Sequence, residues 1–160
     1  MLVSRVQAIA IAPERQKPLV PIDGVMAIAG CGLAGDRYAN GQGSYQKGGE
    51  AGRRQVTLID GRFLPGSGYT LAGTRRNIAI SGDIDLMRLF STKGGIEFVI
   101  GEARFRGVAY CDPCDVPSRM AGSATSFRDR FWSRGGLIAE VTQGGWIRVG
   151  SEVVANLTKY

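Results

Sequence analysis

The chain has 160 residues, of which 44% are apolar and 21% are charged, values typical of one globular domain rather than a disordered chain. It contains no histidine, which excludes a serine–histidine–aspartate triad, a cysteine–histidine pair and any histidine-ligated metal site. The net charge of +6 fits either an anionic partner or a solvated basic surface.

The first half of the chain predicts strands separated by glycine-rich loops. Apolar stretches at residues 2–12 and 25–29 indicate two strands, and a charged loop joins them. Residues 30–52 are rich in glycine and polar side chains and lack a hydrophobic period, which favours a long functional loop. Residues 55–60 and 77–80 predict two more strands. A total of 24 glycines favours a turn-rich β protein over a helical bundle.

The second half predicts two hairpins and three short helices. The strands of the first hairpin are expected at residues 96–100 and 103–110, on either side of a Gly101-Glu102 turn. Those of the second are expected at residues 137–142 and 146–149, joined by Gln143-Gly144-Gly145. Short helices are expected within residues 83–90, 113–120 and 126–132, the last capped by Ser126. This pattern predicts a mainly β, closed or nearly closed barrel with few helices, forming a single domain over residues 1–160.

Cysteine usage and hydropathy predict the compartment. An odd, low count of three cysteines does not describe a disulfide scaffold and favours a reducing environment. Charged residues interrupt the first 20 positions, so no signal-peptide core is expected there. No apolar run approaches the roughly 20 residues that span a bilayer. We therefore expect a cytoplasmic protein without a membrane partner.

Cys111-Asp112-Pro113-Cys114 is a CxxC motif, and four interpretations of it remain open. The first is a thioredoxin-type dithiol, although that motif normally belongs to a βαβ unit. The second is half of a zinc site, for which only Cys31 remains as a further ligand. The third is a single thiolate ligand for a soft, thiophilic metal. The fourth is two small buried residues that only pack.

Several polar residues next to predicted strands are candidates for an anion site. Asp36-Arg37, at the root of the glycine-rich loop, fits an internal ion pair or a ligand contact equally well. Asn77 suits either a turn cap or a hydrogen bond to a heterocycle. Arginines at strand ends around one mouth of a barrel would form a positive cup for a phosphate. The arginines that lie beside a glycine or a strand start are Arg53, Arg54, Arg75, Arg76 and Arg134.

The order of short motifs over about residues 30–150 resembles the MOSC domain, which is named after the molybdenum cofactor sulfurase C-terminal region. No single motif is diagnostic, but the ordered set is specific. The matching segments are Gly32-Leu33-Ala34-Gly35-Asp36-Arg37, Arg54-Gln55-Val56-Thr57-Leu58-Ile59, Arg75-Arg76-Asn77-Ile78, Asp85-Leu86, Phe98-Val99-Ile100-Gly101-Glu102-Ala103, Cys111-Asp112-Pro113-Cys114, Arg134-Gly135-Gly136-Leu137 and Gly144-Gly145-Trp146-Ile147-Arg148-Val149-Gly150.

The resemblance implies a mixed β-barrel that binds a molybdenum–molybdopterin cofactor. The characteristic cysteine of the family falls on Cys114, which the resemblance makes both the molybdenum ligand and the catalytic residue, and Cys111 is the weaker candidate. Tyr38 stands where the family usually has histidine, and the segment after Ile59 is shortened. The cofactor-binding residues implied by the matched motifs are Asp36, Arg37, Arg54, Thr57, Arg76, Asn77 and Arg134.

In members similar to the amidoxime-reducing enzymes, the domain reduces N-hydroxylated small molecules. The resemblance therefore implies an oxidoreductase, and the chain is too short for its own flavin, haem or iron–sulfur domain. Electrons are thus expected from a separate electron-donor protein. The alternative is a non-catalytic carrier of the cofactor or of its sulfur. A nucleic-acid partner is unlikely because no aromatic-rich stacking strand is present.

Overall fold

Strands are the main regular secondary structure, and the computed structural model describes residues 2–43, 54–90 and 95–157. Short helices connect some of the strands: α1 (Leu71–Thr74), α2 (Val116–Ala121), α3 (Phe127–Arg130) and 3₁₀ turns at Gly61–Phe63 and Leu86–Leu89. The strands in these ranges are β1 (Leu2–Ile11), β2 (Val20–Ile22), β3 (Gly24–Ile28), β4 (Gly32–Leu33), β5 (Val56–Asp60), β6 (Ile78–Gly82), β7 (Glu97–Ile100), β8 (Ala103–Tyr110), β9 (Leu137–Gln143), β10 (Gly145–Arg148) and β11 (Glu152–Ala155).

Seven of the described strands close into a barrel. Their order is β11-β7-β8-β9-β5-β6-β1, and β1 pairs with β11 to complete the ring. The β5–β6 pair is parallel and the other pairs of the ring are antiparallel. β2 extends the ring beside β1, while β10, β3 and β4 form a separate small sheet. The predicted mainly β, mixed barrel with few short helices is confirmed.

The inside of the barrel is the larger of two apolar clusters. Strand alternation sends every second side chain inward, and Phe98 and Phe105 stack there with ring centroids 5.5 Å apart. The second cluster lies against the outside of the ring, where Tyr69, Phe127 and Phe131 pack edge-on or stacked. The Tyr69 hydroxyl bonds to the Thr125 carbonyl. This outer cluster fixes α3 beside the end of β8, where the CxxC segment begins.

The predicted elements match the described structure with some corrections. The hairpin β7–β8 is confirmed, and Ser126 caps α3 by accepting from the Asp129 amide at 3.2 Å. The hairpin predicted around Gly144 is wrong, because β9 pairs with β5 and β8 whereas β10 pairs with β3. A Cβ at Gly145 would lie 2.5 Å from the Glu102 carbonyl oxygen, so glycine there permits a close crossing of chains.

Two further elements differ from the sequence prediction. The helix expected within residues 83–90 is a 3₁₀ turn over Leu86–Leu89, and the helix expected at residues 113–120 begins only at Val116. β11, which closes the ring, was not predicted. Across the described ranges, no helix combines the length and the apolar character needed to cross a bilayer.

Candidate functional site

The CxxC segment connects β8 to α2 and presents its two thiols differently. Cys111 is only 2% exposed, and its amide donates to the Gly136 carbonyl at 2.9 Å. Cys114 is partly exposed. Cys31 lies on the exposed turn between β3 and β4, and all three cysteines are free thiols. Within the described ranges, no group of three histidine, cysteine, aspartate or glutamate side chains forms a metal cluster.

Cys114 lines a small cavity of about 80 Å³, which we call the arginine cavity. Five separate stretches of chain meet there: the loop after β1, the turn after β4, the segment before β5, the α1–β6 junction, and the CxxC segment with the start of α2. No acidic side chain is among its described lining. The lining residues are Gln16, Arg37, Tyr38, Arg54, Arg75, Arg76, Cys114, Val116 and Pro117.

Asp36 organises the cavity from behind. Its carboxylate is fully buried and accepts hydrogen bonds from the Ala12 amide at 3.0 Å, the Tyr38 amide at 3.3 Å and Arg37 Nη1 at 3.1 Å. The internal ion pair considered from the sequence is therefore present. It ties the root of the glycine-rich loop to the end of β1, and Arg37 Nη2 reaches the Arg75 carbonyl at 3.0 Å.

Arg54 and Tyr38 form one side of the cavity. Arg54 Nε donates to the Tyr38 hydroxyl at 3.3 Å, and Arg54 Nη2 donates to Cys111 Sγ at 3.6 Å. Burial opposes the charge of Arg54 most strongly, but the Cys111 sulfur and the Tyr38 hydroxyl together outweigh it and raise the pKa of Arg54. Arg37 also donates to the Tyr38 hydroxyl, at 3.3 Å. Two guanidinium groups thus hold this hydroxyl at the cavity.

Arg75 also lines the cavity, and it is affected by burial and by a neighbouring positive charge. Burial, and then repulsion by Arg37, lower its pKa. Its backbone is left-handed, with φ +62°, and its Nη1 donates to the Lys17 carbonyl at 2.8 Å. Gln16, next to Lys17, is also left-handed, with φ +61°. An anion between these groups would relieve the repulsion that the structure holds.

Arg76 reaches the cavity but is engaged by the main chain. It is 4% exposed, and its guanidinium lies 5.2 Å from the centre of the Phe127 ring. Its donors are directed at carbonyl oxygens of three different segments. These are Gly135 at 2.7 Å from Nε, Thr74 at 3.2 Å from Nη1, and Cys111 and Asp112 at 3.3 and 3.4 Å from Nη2.

Thr57 and Asn77, both implied as cofactor-binding, lie in the barrel wall and do not line the arginine cavity. Asn77 Oδ1 accepts from the Thr57 amide at 3.1 Å and from Thr57 Oγ1 at 3.2 Å. Asn77 Nδ2 donates to the Ala10 carbonyl at 3.1 Å. Asn77 is fully buried and directly precedes β6. Its bonds therefore connect the start of β6 to β5 and β1.

Arg134 lies in a different cavity of about 310 Å³, which we call the Phe63 cavity. The Arg134 guanidinium stacks 4.1 Å from the centre of the Phe63 ring. Asp60, Arg62 and Asp85 line the same cavity. The structure thus brings Arg37, Arg54 and Arg76 to Cys114, with Asp36 behind them, and places Arg134 elsewhere. Arg53 and positions 44–52 of the glycine-rich loop lie outside the described residues.

A wider groove of about 670 Å³ flanks the CxxC segment on another side. It shares Met87 and Ser133 with the Phe63 cavity. Tyr110 and Trp132 are 47% and 69% exposed along it. The other lining residues are Cys111, Asp112, Pro113 and Gly135.

Sequence reasoning did not identify every residue that lines the arginine cavity. Gln16 carries no local signal, since it stands in a charged loop and reaches the cavity only because its backbone is left-handed. Val116 and Pro117 belong to the first turn of α2 and were noted only as helix residues. Tyr38 stands where the family usually has histidine, and this departure is the sequence signal for a role of Tyr38 at the cavity.

Comparisons with known proteins agree with this architecture. The family model of the MOSC domain matches residues 62–154, more than half of the 160-residue chain. The structure of YuaD from Bacillus subtilis superposes with a TM-score of 0.77 at 18% identity, covering 96% of this chain and 97% of that one. The structure of YiiM from Geobacillus stearothermophilus superposes with a TM-score of 0.68 at 13% identity, covering 96% of this chain and 75% of that one. The structure of YiiM from Escherichia coli superposes with a TM-score of 0.57 at 16% identity, covering 97% of this chain and 72% of that one.

Identities this low show a shared fold alone. A search among curated protein sequences found no match.

Proposed function

Because the chain belongs to the MOSC domain family, which is associated with the molybdenum cofactor, we propose that it binds a molybdenum–pterin cofactor at the arginine cavity. Cys114 is the metal ligand, and the bound protein is an oxidoreductase for N-hydroxylated small molecules. One observation carries the proposal: a partly exposed thiol and four arginines line the same cavity. No acidic residue is among the described lining of that cavity.

The donor set of the cavity fits this group. A thiolate is a soft donor that suits a thiophilic metal. Guanidinium groups match phosphate oxygens with paired hydrogen bonds, and the cofactor carries a terminal phosphate. We propose Arg54 and Arg75 as the phosphate donors. Arg37 is in a buried ion pair with Asp36, and every guanidinium nitrogen of Arg76 donates to a carbonyl. The lowered pKa of Arg75, caused first by burial and then by Arg37, supports an anion beside Arg75.

The size of the cavity limits what it can enclose. About 80 Å³ is far below the roughly 300 Å³ or more of a whole cofactor site. It suits one end of the cofactor, with the remainder lying outside. An adjoining apolar cavity of about 220 Å³ shares Arg75 and Pro117 with it and offers this space.

The residues of the chain have distinct roles in the proposed reaction. Removing the hydroxyl of an N-hydroxy compound as water takes two electrons and two protons. When bound, the cofactor supplies the two-electron chemistry, and a separate electron-donor protein restores the electrons. Tyr38, whose hydroxyl is held at the cavity by Arg37 and Arg54, is the proposed proton donor beside Cys114.

The test is to produce the protein in a cell that makes the cofactor and to measure bound molybdenum and pterin together. We expect both at close to one per chain, and reduction of benzamidoxime to benzamidine with a chemical reductant. Absence of both molybdenum and pterin would contradict the proposal. If the protein retains molybdenum and pterin but does not reduce benzamidoxime, the proposed cofactor binding is supported and the reductase activity is contradicted. The protein would then be the non-catalytic carrier.

A further inference from the structure

The main chain of the CxxC segment is fixed by its neighbours. The Cys111 amide donates to the Gly136 carbonyl, and the carbonyls of Cys111 and Asp112 both accept from Arg76. Gly135 packs directly beneath, since a Cβ there would lie 2.1 Å from the Cys111 carbonyl oxygen and 2.8 Å from the Pro113 nitrogen. The segment is therefore held by hydrogen bonds on both sides of Cys111 and by close backbone packing.

This fixed path separates the two cysteines. Residues 111–114 form no helix, turn or bend, and Pro113 disfavours the helical region for Asp112, so the segment is extended. Three residues of extended chain span about 10 Å between Cα atoms. A disulfide requires Cα atoms about 4.4 to 6.8 Å apart. Closure of a Cys111–Cys114 disulfide therefore requires the main chain to leave the path on which Arg76 holds it.

The two thiols also meet different surroundings. The Cys111 sulfur is buried and accepts from Arg54 Nη2 at 3.6 Å, whereas Cys114 lines the cavity and is partly exposed. A dissolved reagent meets Cys114 first. Once Cys114 has reacted, the same arrangement keeps the Cys111 thiol from approaching the Cys114 sulfur.

We infer that Arg76 is a positioning residue that keeps the CxxC segment extended, so that Cys114 reacts as a single thiol and the motif does not form a disulfide. Arg76 joins three segments that are distant in the sequence, through the carbonyls of Thr74, Gly135 and Cys111. Its own partners are carbonyl oxygens and the Phe127 ring. Its role is therefore exerted on the backbone that carries Cys114.

The chemistry can be followed with oxidised glutathione. The Cys114 thiolate attacks the disulfide bond of the reagent, forms a mixed disulfide and releases one glutathione thiolate. In a CxxC that can close, the second cysteine thiolate then attacks the Cys114 sulfur, forms the intramolecular disulfide and releases the second glutathione. Arg76 blocks only this second step, because only that step needs Cys111 to approach Cys114.

The experiment uses a metal-free Cys31→Ser chain as the parent, because Cys31 is an exposed third thiol that would also react. This chain is treated with oxidised glutathione and followed by intact mass and non-reducing peptide maps. The parent is expected to stop at one glutathione on Cys114, and to close the disulfide only in denaturant. Arg76→Gln should close it at least about tenfold faster than the parent under native conditions, since it loses hydrogen bonds from a charged donor. Arg76→Lys, which reaches fewer of the carbonyls, should lie between them. Arg134→Gln, an arginine outside the arginine cavity, should behave as the parent does.

Two results would overturn the inference. One is a native parent that closes the disulfide as fast as it does in denaturant. The other is a folded Arg76→Gln that stays at the mixed disulfide, with circular dichroism confirming its fold. If Arg76→Gln does not fold, Arg76→Lys decides, and closure at the parent rate counts against Arg76. The result does not depend on cofactor binding, because no metal or pterin enters the assay.

Discussion

The arginine cavity and the Phe63 cavity both contain arginines that the sequence suggested as parts of one anion site. The two cavities differ in the carboxylates that line them. Four arginines line the first with no acidic residue among its described lining. In the second, Arg62 and Arg134 face Asp60 and Asp85. Asp60 binds Arg62 through both carboxylate oxygens, the shortest contact being 2.6 Å. Among the described residues, carboxylates therefore line the second cavity together with its arginines but do not line the first.

We therefore expect an arginine motif to form an anion site only where neighbouring carboxylates do not neutralise it. At the arginine cavity, the Asp36 carboxylate is bonded to Arg37, is buried behind it and organises the backbone. Asp60 is partly buried and forms a local pair with Arg62, which is two residues away and half exposed. The same type of ion pair is thus structural at one cavity and peripheral at the other.

The largest expected effect is on stability, and it compares these two aspartates. Asp36→Asn removes a buried charge that accepts from two amides and from Arg37, and leaves Arg37 unpaired. We expect the free energy of unfolding to fall by about 3 to 5 kcal/mol. Asp60→Asn should lower it by about 1 kcal/mol or less, because Arg62 is half exposed. Urea unfolding of both variants measures this, and equal losses would remove the distinction between the cavities.

The next effect is on anion binding. Arg54→Gln and Arg75→Gln should each weaken the binding of inorganic phosphate to the metal-free protein by about tenfold or more, since each removes a charged hydrogen-bond donor. Arg134→Gln should leave it unchanged, because Asp60 and Asp85 line the Phe63 cavity with it. Titration calorimetry at low and high salt tests this. A loss in Arg134→Gln equal to that in Arg75→Gln would contradict the assignment of the anion site.

The smallest effect concerns left-handed residues, one at each cavity. Arg75 has φ +62° and Ser133, shared by the Phe63 cavity and the wider groove, has φ +63°. Glycine adopts this conformation without steric cost, so Ser133→Gly should raise the free energy of unfolding by about 1 kcal/mol. Arg75→Gly should gain less, because the bond to the Lys17 carbonyl is lost.

The two glycine variants separate function from strain. Arg75→Gly should lose phosphate binding while its thermal midpoint stays at or above that of the parent, and Ser133→Gly should bind phosphate as the parent does. Thermal unfolding followed by calorimetric titration gives both quantities. Phosphate binding retained in Arg75→Gly would show that Arg75 only packs.

The sequence predicted the strands well because strand alternation and glycine turns are local signals. β1, β5, β8 and β9 match the expected segments within a few residues. The hairpin around Gly144 failed because a Gly-Gly pair fits a tight turn and a close chain crossing equally well. β11 was missed because four residues near the chain end carry too little pattern, although they close the barrel.

Grouping of the candidate residues could be predicted only in part. Arg37, Arg54 and Arg76 reach one cavity with Cys114, as their places in ordered motifs suggested. Two features were not readable from sequence: Arg134 turns to Phe63, and Arg76 bonds to carbonyls of three segments. Both depend on long-range packing between the CxxC segment, the turn before β9 and the α1–β6 junction. A pattern of neighbours along the chain does not encode such contacts.

The central claim is that the two cysteines of one motif are unequal and that Cys114 holds the metal. The most direct measurement is the molybdenum and pterin content of Cys114→Ser and Cys111→Ser, each produced beside the parent in a cofactor-competent cell. We predict that Cys114→Ser loses the molybdenum and that Cys111→Ser, whose sulfur lies buried against Arg54, keeps most of it. Equal loss of molybdenum in both variants, or no loss in either, would contradict this account.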